Sequence, residues 1–181
     1  MKSFNQLAQR PSAVPVSAED ISEMHAGRLL LLLRLCGTSN RIEGLTKLAK
    51  LDFFVRYPAF LKRAAETLNK EVTTSSTNVE SAMVRHHYGP WDKRYYALLP
   101  FLESRELITV VKVGATYDFS LTPQGEEIAN RMAKHSAFSG LVDHMKDVKK
   151  LFGGWKGARL KTFIYQLFKD EVTNRELGET I

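Results

Sequence analysis

The stretch YGPWDKRYYALLPFLESRELITV, residues 88–110, decides how the chain is read. A Gly-Pro turn opens it, an amphipathic segment at 91–104 predicts a helix, and Arg105-Glu106-Leu107 leads into a β-branched run. That run alternates from Leu107 to Val113, turns at Gly114-Ala115 and returns from Thr116 to Leu121, the pattern of a hairpin with a short turn. Thr122-Pro123-Gln124-Gly125-Glu126 then sets an N-cap threonine before a proline at the first helical position, which predicts a helix to about Lys134.

Outward from this centre, the N-terminal half is helical. Residues 1–16, with Pro11 and Pro15, read as a flexible arm. Ser17-Ala18-Glu19-Asp20 carries a capping signature, and the formers that follow predict a helix over 17–36, ended by Gly37. Leu29 to Leu33 and Leu35 make that helix apolar around most of its circumference, which suits a central position. Leu45, Leu48, Leu51, Phe54 and Val55 recur at helical spacing until Pro58 interrupts, so helices are expected over 44–56 and 58–69. The polar TTSST tract between Glu71 and Asn78 reads as a mobile loop. Val79 to Val84 fits a short strand or a helical turn, and helices over 137–151 and 158–170 are divided by Gly153-Gly154-Trp155-Lys156-Gly157, read as a hinge.

These elements predict a mainly α fold with a small β-hairpin wing. The order is that of a winged helix-turn-helix domain over 17–135 with a C-terminal helical extension over 136–181. At 181 residues, with 44% apolar and 25% charged residues, the chain is long enough to bury a real core. A formal charge of +6 favours a polyanionic partner only where the charges cluster. The single Cys36 excludes an intrachain disulfide and, with no Cys-x-x-Cys or His-x-x-x-His pair, argues for a reducing, cytoplasmic home and against structural zinc. The longest apolar block, Leu29 to Leu33, falls far short of the ~18 residues of a membrane span, and residues 1–16 carry no apolar signal region.

Catalysis finds little footing. His86 and His87 are adjacent, so on a strand they face opposite ways, and no carboxylate stands at metal-ligand spacing from them. Asp52 and Arg56 read as an ordinary i,i+4 pair worth ~0.2–0.5 kcal/mol. No catalytic residue, metal or cofactor is therefore expected. Arg85, His87, Lys93, Arg94 and Lys112 are the candidate nucleic-acid contacts, interleaved with Tyr88, Trp91, Tyr95 and Tyr96. Glu103 and Glu106 beside Arg105 weaken the case for base-specific readout, and the apolar surplus in 95–102 suggests that part of this helix faces protein. A second basic stretch runs from Lys146 to Lys161 with Asp147 as its single acid. Two readings stay open for it: a solvated face over a packed hairpin, or a docking surface of Lys149, Lys150, Phe152, Trp155 and Arg159 with Trp155 exposed as its anchor.

The blocks EGLTKLAKLDFFVRYPAFL (43–61), MVRHHYGPWDKRYYALLPFLESRELITV (83–110), LTPQGEEIA (121–129) and RLKTFIYQLF (159–168) together resemble the winged-helix middle component of bacterial ABC-three-component systems. That group includes Lamassu-type anti-phage defence operons. The likeness covers roughly residues 20–170; KLAKLDFFVRYP and RLKTFIY are its distinctive parts, and the rest is common to many winged-helix repressors. It implies a non-catalytic subunit bridging an SMC-like ABC ATPase and an effector, often a nuclease, in a complex that senses foreign DNA, with at most non-specific duplex contact. The competing expectation is a stand-alone dimeric transcription regulator.

Overall fold

The computed structural model describes residues 21–74, 79, 81–87 and 89–181; the expected arm, the capping signature at 17–20, residues 75–77 of the TTSST tract, Asn78, Glu80 and Tyr88 lie outside them. The fold is mainly helical with a small antiparallel sheet and a separate hairpin. In chain order the elements are α1 (Ser22–Cys36), β1 (Arg41–Glu43), α2 (Leu45–Arg56), α3 (Pro58–Thr67), β2 (Val84–His86), β3 (Gly89–Trp91), α4 (Tyr95–Ser104), β4 (Ile108–Val113), β5 (Thr116–Leu121), α5 (Pro123–Lys134), α6 (Ser139–Phe152) and α7 (Gly157–Leu167). A short 3-10 turn, Ser136–Phe138, precedes α6, and a π-type turn, Lys169–Thr173, follows α7.

Two helices form the centre because neither has a polar face to give to solvent. All five leucines from Leu29 to Leu33 are buried in α1, and every residue of α2 from Leu48 to Arg56 is buried, Lys50, Asp52 and Arg56 included. α4, α5 and α6 cover α1, while α3, α6 and α7 cover α2. Proline sets the break between α2 and α3: Tyr57 leaves the helical region with a ψ of 78° and Pro58 occupies the first turn of α3, where its missing N–H costs nothing. Phe54 stacks on Phe152 of α6 at 4.4 Å, and Phe53 and Phe60 close on Phe168. The C-terminal segment, read from sequence as an extension, thus shares one hydrophobic core with the rest of the chain.

The three strands order β1-β5-β4, all antiparallel. Ile42 and Val110 both pair with Phe119, and Ile108 with Leu121, so alternation sends these residues to the core face. Val111 and Val113 point the other way and are exposed. After the hairpin, Thr122 Oγ1 accepts from Gly125 N at 3.0 Å and caps α5 as its sequence predicts. Gly125 is needed there for space, because a Cβ would lie 1.9 Å from Leu107 O.

The other sheet departs from the sequence reading. Gly89-Pro90-Trp91 pairs with Val84–His86, so α4 begins only at Tyr95 and not at 91. The cause is Asp92, whose carboxylate accepts from Arg94 N at 2.9 Å and holds 92–94 as a turn. Of the described residues in the segment 79–84, only Val84 joins a strand. The C-terminal residues add a third backbone: Arg85 N donates to Glu179 O at 2.8 Å and Ile181 N to Met83 O at 2.9 Å. The Tyr57 hydroxyl locks both, accepting from Met83 N and donating to Ile181 O.

Leu31 is fully enclosed. Leu31→Ala is expected to lower stability by roughly 2–5 kcal/mol, seen as an earlier urea midpoint with an unchanged slope.

Candidate interaction surfaces and a buried charge network

Asp52, read from sequence as half of an ordinary i,i+4 pair with Arg56, keeps that partner but is the hub of a buried network, and this corrects the small worth expected of it. Its Oδ1 accepts from Arg28 Nε of α1 at 2.8 Å, and its Oδ2 from the Tyr95 hydroxyl of α4 at 2.6 Å and from Arg56 at 3.4 Å. Arg56 extends the network to Asp92 at 2.8 Å and to the carbonyls of Ser81 and Ala82 at 3.0 and 2.8 Å. Arg94 bonds Asp92 in turn, and His25 lies between Arg28, 2.8 Å away, and Arg94. The signal for this was present in α2, where apolar residues on every side leave positions 52 and 56 no route to water.

Burial alone would push the Asp52 carboxyl up, but the Arg28 and Arg56 charges, with hydrogen bonds from Arg28 and Tyr95, hold it below the usual carboxylate range. Burial likewise works against Asp92, and bonds from Arg94 and Arg56 bring it down to about 2. Tyr95 is held well above its ordinary value by burial and by the Asp52 anion. Asp52 is thus an enclosed anion with both oxygens engaged. It joins α1, α2 and α4, and has no solvent access through which to exchange a proton.

Lys50 is a different case. Its side chain is buried, its Nζ donates to Pro90 O at 2.9 Å and lies 5.7 Å from the Trp91 ring centroid. Among the described residues no carboxylate pairs with it, and burial, then the charges of Lys161 and Arg85, bring its amine down to about 7.

The candidate nucleic-acid residues do not form one free basic patch. Arg94 is drawn into the network. Arg85 is half-buried, donating to Val172 O at 2.9 Å and lying 5.4 Å over the Tyr165 ring. His87 is exposed, its carbonyl accepting from the Tyr165 hydroxyl. Lys93 is exposed at the turn before α4, and Lys112 is exposed on the wing opposite Tyr117.

Of the docking residues, Phe152, Trp155 and Arg159 come together, but as packing. Phe152 is wholly buried, which removes it from any surface. Trp155, expected to be an exposed anchor, is half-buried: it meets Phe152 at 5.2 Å and Phe163 at 5.3 Å, with the Arg159 guanidinium 3.7 Å over its ring. Lys149 reaches the carbonyls of Cys36 and Gly37, where it offsets the negative end of α1. Lys150 donates to Glu71 O at 3.2 Å. Asp147, the acid of this stretch, holds Thr73 and Thr74 through their backbone N–H groups, so the start of the TTSST tract is pinned to α6.

What α4 leaves outside was not foreseen in detail. Tyr95, Leu98, Leu99 and Leu102 face the core, while Tyr96, at 64% exposure, Ala97, Pro100 and Phe101 face out. Arg105 lies over the Phe101 ring at 5.4 Å. Among the described residues no group of three or more His, Cys, Asp or Glu is placed to hold a metal, and no helix is long and apolar enough to cross a membrane. Comparison with protein-family models, curated proteins and solved structures finds no match to this chain.

Two outcomes follow from the buried charges. Asp52→Asn leaves Arg28 and Arg56 enclosed without their shared anion and is expected to cost roughly 3–5 kcal/mol in chemical denaturation. Lys50 has a folded-state pKa near 7, below its ordinary value of 10.5, so the unfolded chain holds a proton that the folded one sheds. Stability should therefore rise from about pH 7 to pH 9, with a slope of at most ~1.4 kcal/mol per pH unit, and Lys50→Met should flatten that rise. The rise levels off near 9, the ordinary value of a cysteine thiol, because burial raises Cys36 to about 12 and the proton it keeps in the folded chain offsets the Lys50 contribution from there to 10.5.

Proposed function

We propose that the chain is a non-catalytic winged-helix subunit whose α4 docks on protein, bridging an SMC-like ABC ATPase and an effector nuclease in a cytoplasmic complex that senses foreign DNA. Two kinds of support differ in reach. The order α1-β1-α2, then α4-β4-β5, with sheet order β1-β5-β4, supports the winged-helix reading, with α3 and the β2–β3 hairpin inserted before the helix in the reading position. The ATPase, the effector and the defence setting come from the sequence resemblance.

One observation carries the reading away from a repressor. A helix that reads DNA presents polar, hydrogen-bonding side chains to the groove, and the exposed side of α4 is Tyr96, Ala97, Pro100 and Phe101, with polar residues, Glu103 and Ser104, only in its last turn. The one arginine at its start, Arg94, is committed to Asp92 and His25. Exposed aromatic rings beside an arginine form the composition of a protein interface.

The test is a pull-down with an SMC-like ABC ATPase encoded in the same genome. Tyr96→Ala with Phe101→Ala should weaken capture about tenfold or more while leaving the urea midpoint nearly unchanged, since both rings stand outside the core. Normal capture by the double variant, or a duplex operator bound at about 10⁻⁸ M in physiological salt, would replace this reading with the dimeric regulator.

A further inference from the structure

The loop Gly153-Gly154-Trp155-Lys156-Gly157 does not serve as a spacer between α6 and α7 alone; it walls a cleft. Two adjoining chambers, of about 440 and 480 Å³, lie between the wing tip, the start of α2 and the start of α7. They adjoin along a common wall of Glu43, Lys47 and Gly157. The first opens against Tyr117, Ala115 and Lys161, and the second against Arg41, Trp155 and Lys156.

The walls are held to one another. Gly44 N donates to Tyr117 O at 3.0 Å, tying α2 to the wing, and Lys47 Nζ donates to Gly153 O at 3.0 Å, tying it to the loop. α7 starts directly on α2: a Cβ at Gly157 would stand 2.9 Å from Lys47 N, so only glycine allows this approach. The cleft is therefore a preformed feature.

Its charge is one-sided. Lys47, Lys156 and Lys161 line it, and its one carboxylate, Glu43, is engaged by Arg41 at 2.5 Å. Lys47 is partly withdrawn from water, and burial lowers its amine below the ordinary value. Both α2 and α7 begin here without a side-chain cap, which adds the positive ends of two helices to the lysines. Tyr117 stands at the rim, 49% exposed, with Lys112 paired beside it on the same face of the wing.

We propose that this double cleft binds single-stranded nucleic acid, with phosphates between Lys47, Lys156 and Lys161 and a base stacked on Tyr117. Each chamber has the volume of a small-ligand pocket, on the scale of ~300–1,000 Å³, which suits one nucleotide of a strand and is too small to admit a duplex. Cationic walls with an exposed ring at the edge are the means by which single strands are held without sequence preference. This goes beyond the reading of α4 and needs no partner subunit, so it fails or stands by itself.

The experiment titrates fluorescently labelled oligothymidylate with the full chain at low salt, followed by anisotropy. Binding should weaken steeply as salt rises, and a duplex of equal length should bind at least about tenfold more weakly. Tyr117→Ala should weaken binding about tenfold while Tyr117→Phe retains it, and Lys156→Glu and Lys161→Glu should each cost about as much. Tyr117 and Lys156 are exposed, so a thermal melt is expected to show these variants folded. No binding at low salt, equal binding of duplex, or variants that bind as the parent would each overturn the assignment.

Discussion

The Asp52 carboxylate is the constraint on which the arrangement of helices depends. Isolated, an anion so enclosed would protonate or drag water inward. Here it accepts from α1 through Arg28, from its own helix through Arg56 and from α4 through Tyr95, so three helices must take one mutual position for it to be satisfied. Apolar packing in the shared core is tolerant of small slips, since leucine surfaces are interchangeable. Directional bonds at 2.6 to 2.8 Å are not, which makes this network the device that selects one packing from many.

The same constraint redistributes the positive charge. A chain with net +6 has cations enough for an extended basic surface, yet Arg28, Arg56 and Arg94 are spent on two internal carboxylates, and Lys50, Lys149 and Arg85 on carbonyls or rings. What remains outside is divided. α4 shows exposed aromatic rings, and Lys47, Lys156 and Lys161 line the cleft where α2, α7 and the wing meet. The proposed protein docking and the proposed nucleic-acid contact thus fall on different elements.

Sequence by itself determined the local elements. The 3.6-residue spacing in α1 and α2, the alternation of β4 and β5 about Gly114 and the threonine-proline start of α5 are each written within a few residues, because propensity, capping and periodicity act over one or two turns. The same locality explains the boundary errors: 91 was read as helical because the side chain that stops the helix, Asp92, acts through its own turn and through Arg56, 36 residues earlier.

Tertiary structure alone decided the partners. Asp52 meets Arg28 across 24 residues and Tyr95 across 43, and no spacing rule reaches that far. An i,i+4 pair looks alike on paper whether water or leucine surrounds it, and only the packing of α1, α3, α6 and α7 around α2 separates the two. Trp155 had the flanking glycines and lysines of an exposed anchor, but Phe152 and Phe163 supplied apolar surface beside it, and burying a ring there is more favourable than leaving it wet. The cleft is wholly tertiary: Lys47, Tyr117 and Lys161 lie far apart along the chain, and they become neighbours because Gly157 lets one helix begin against the backbone of another.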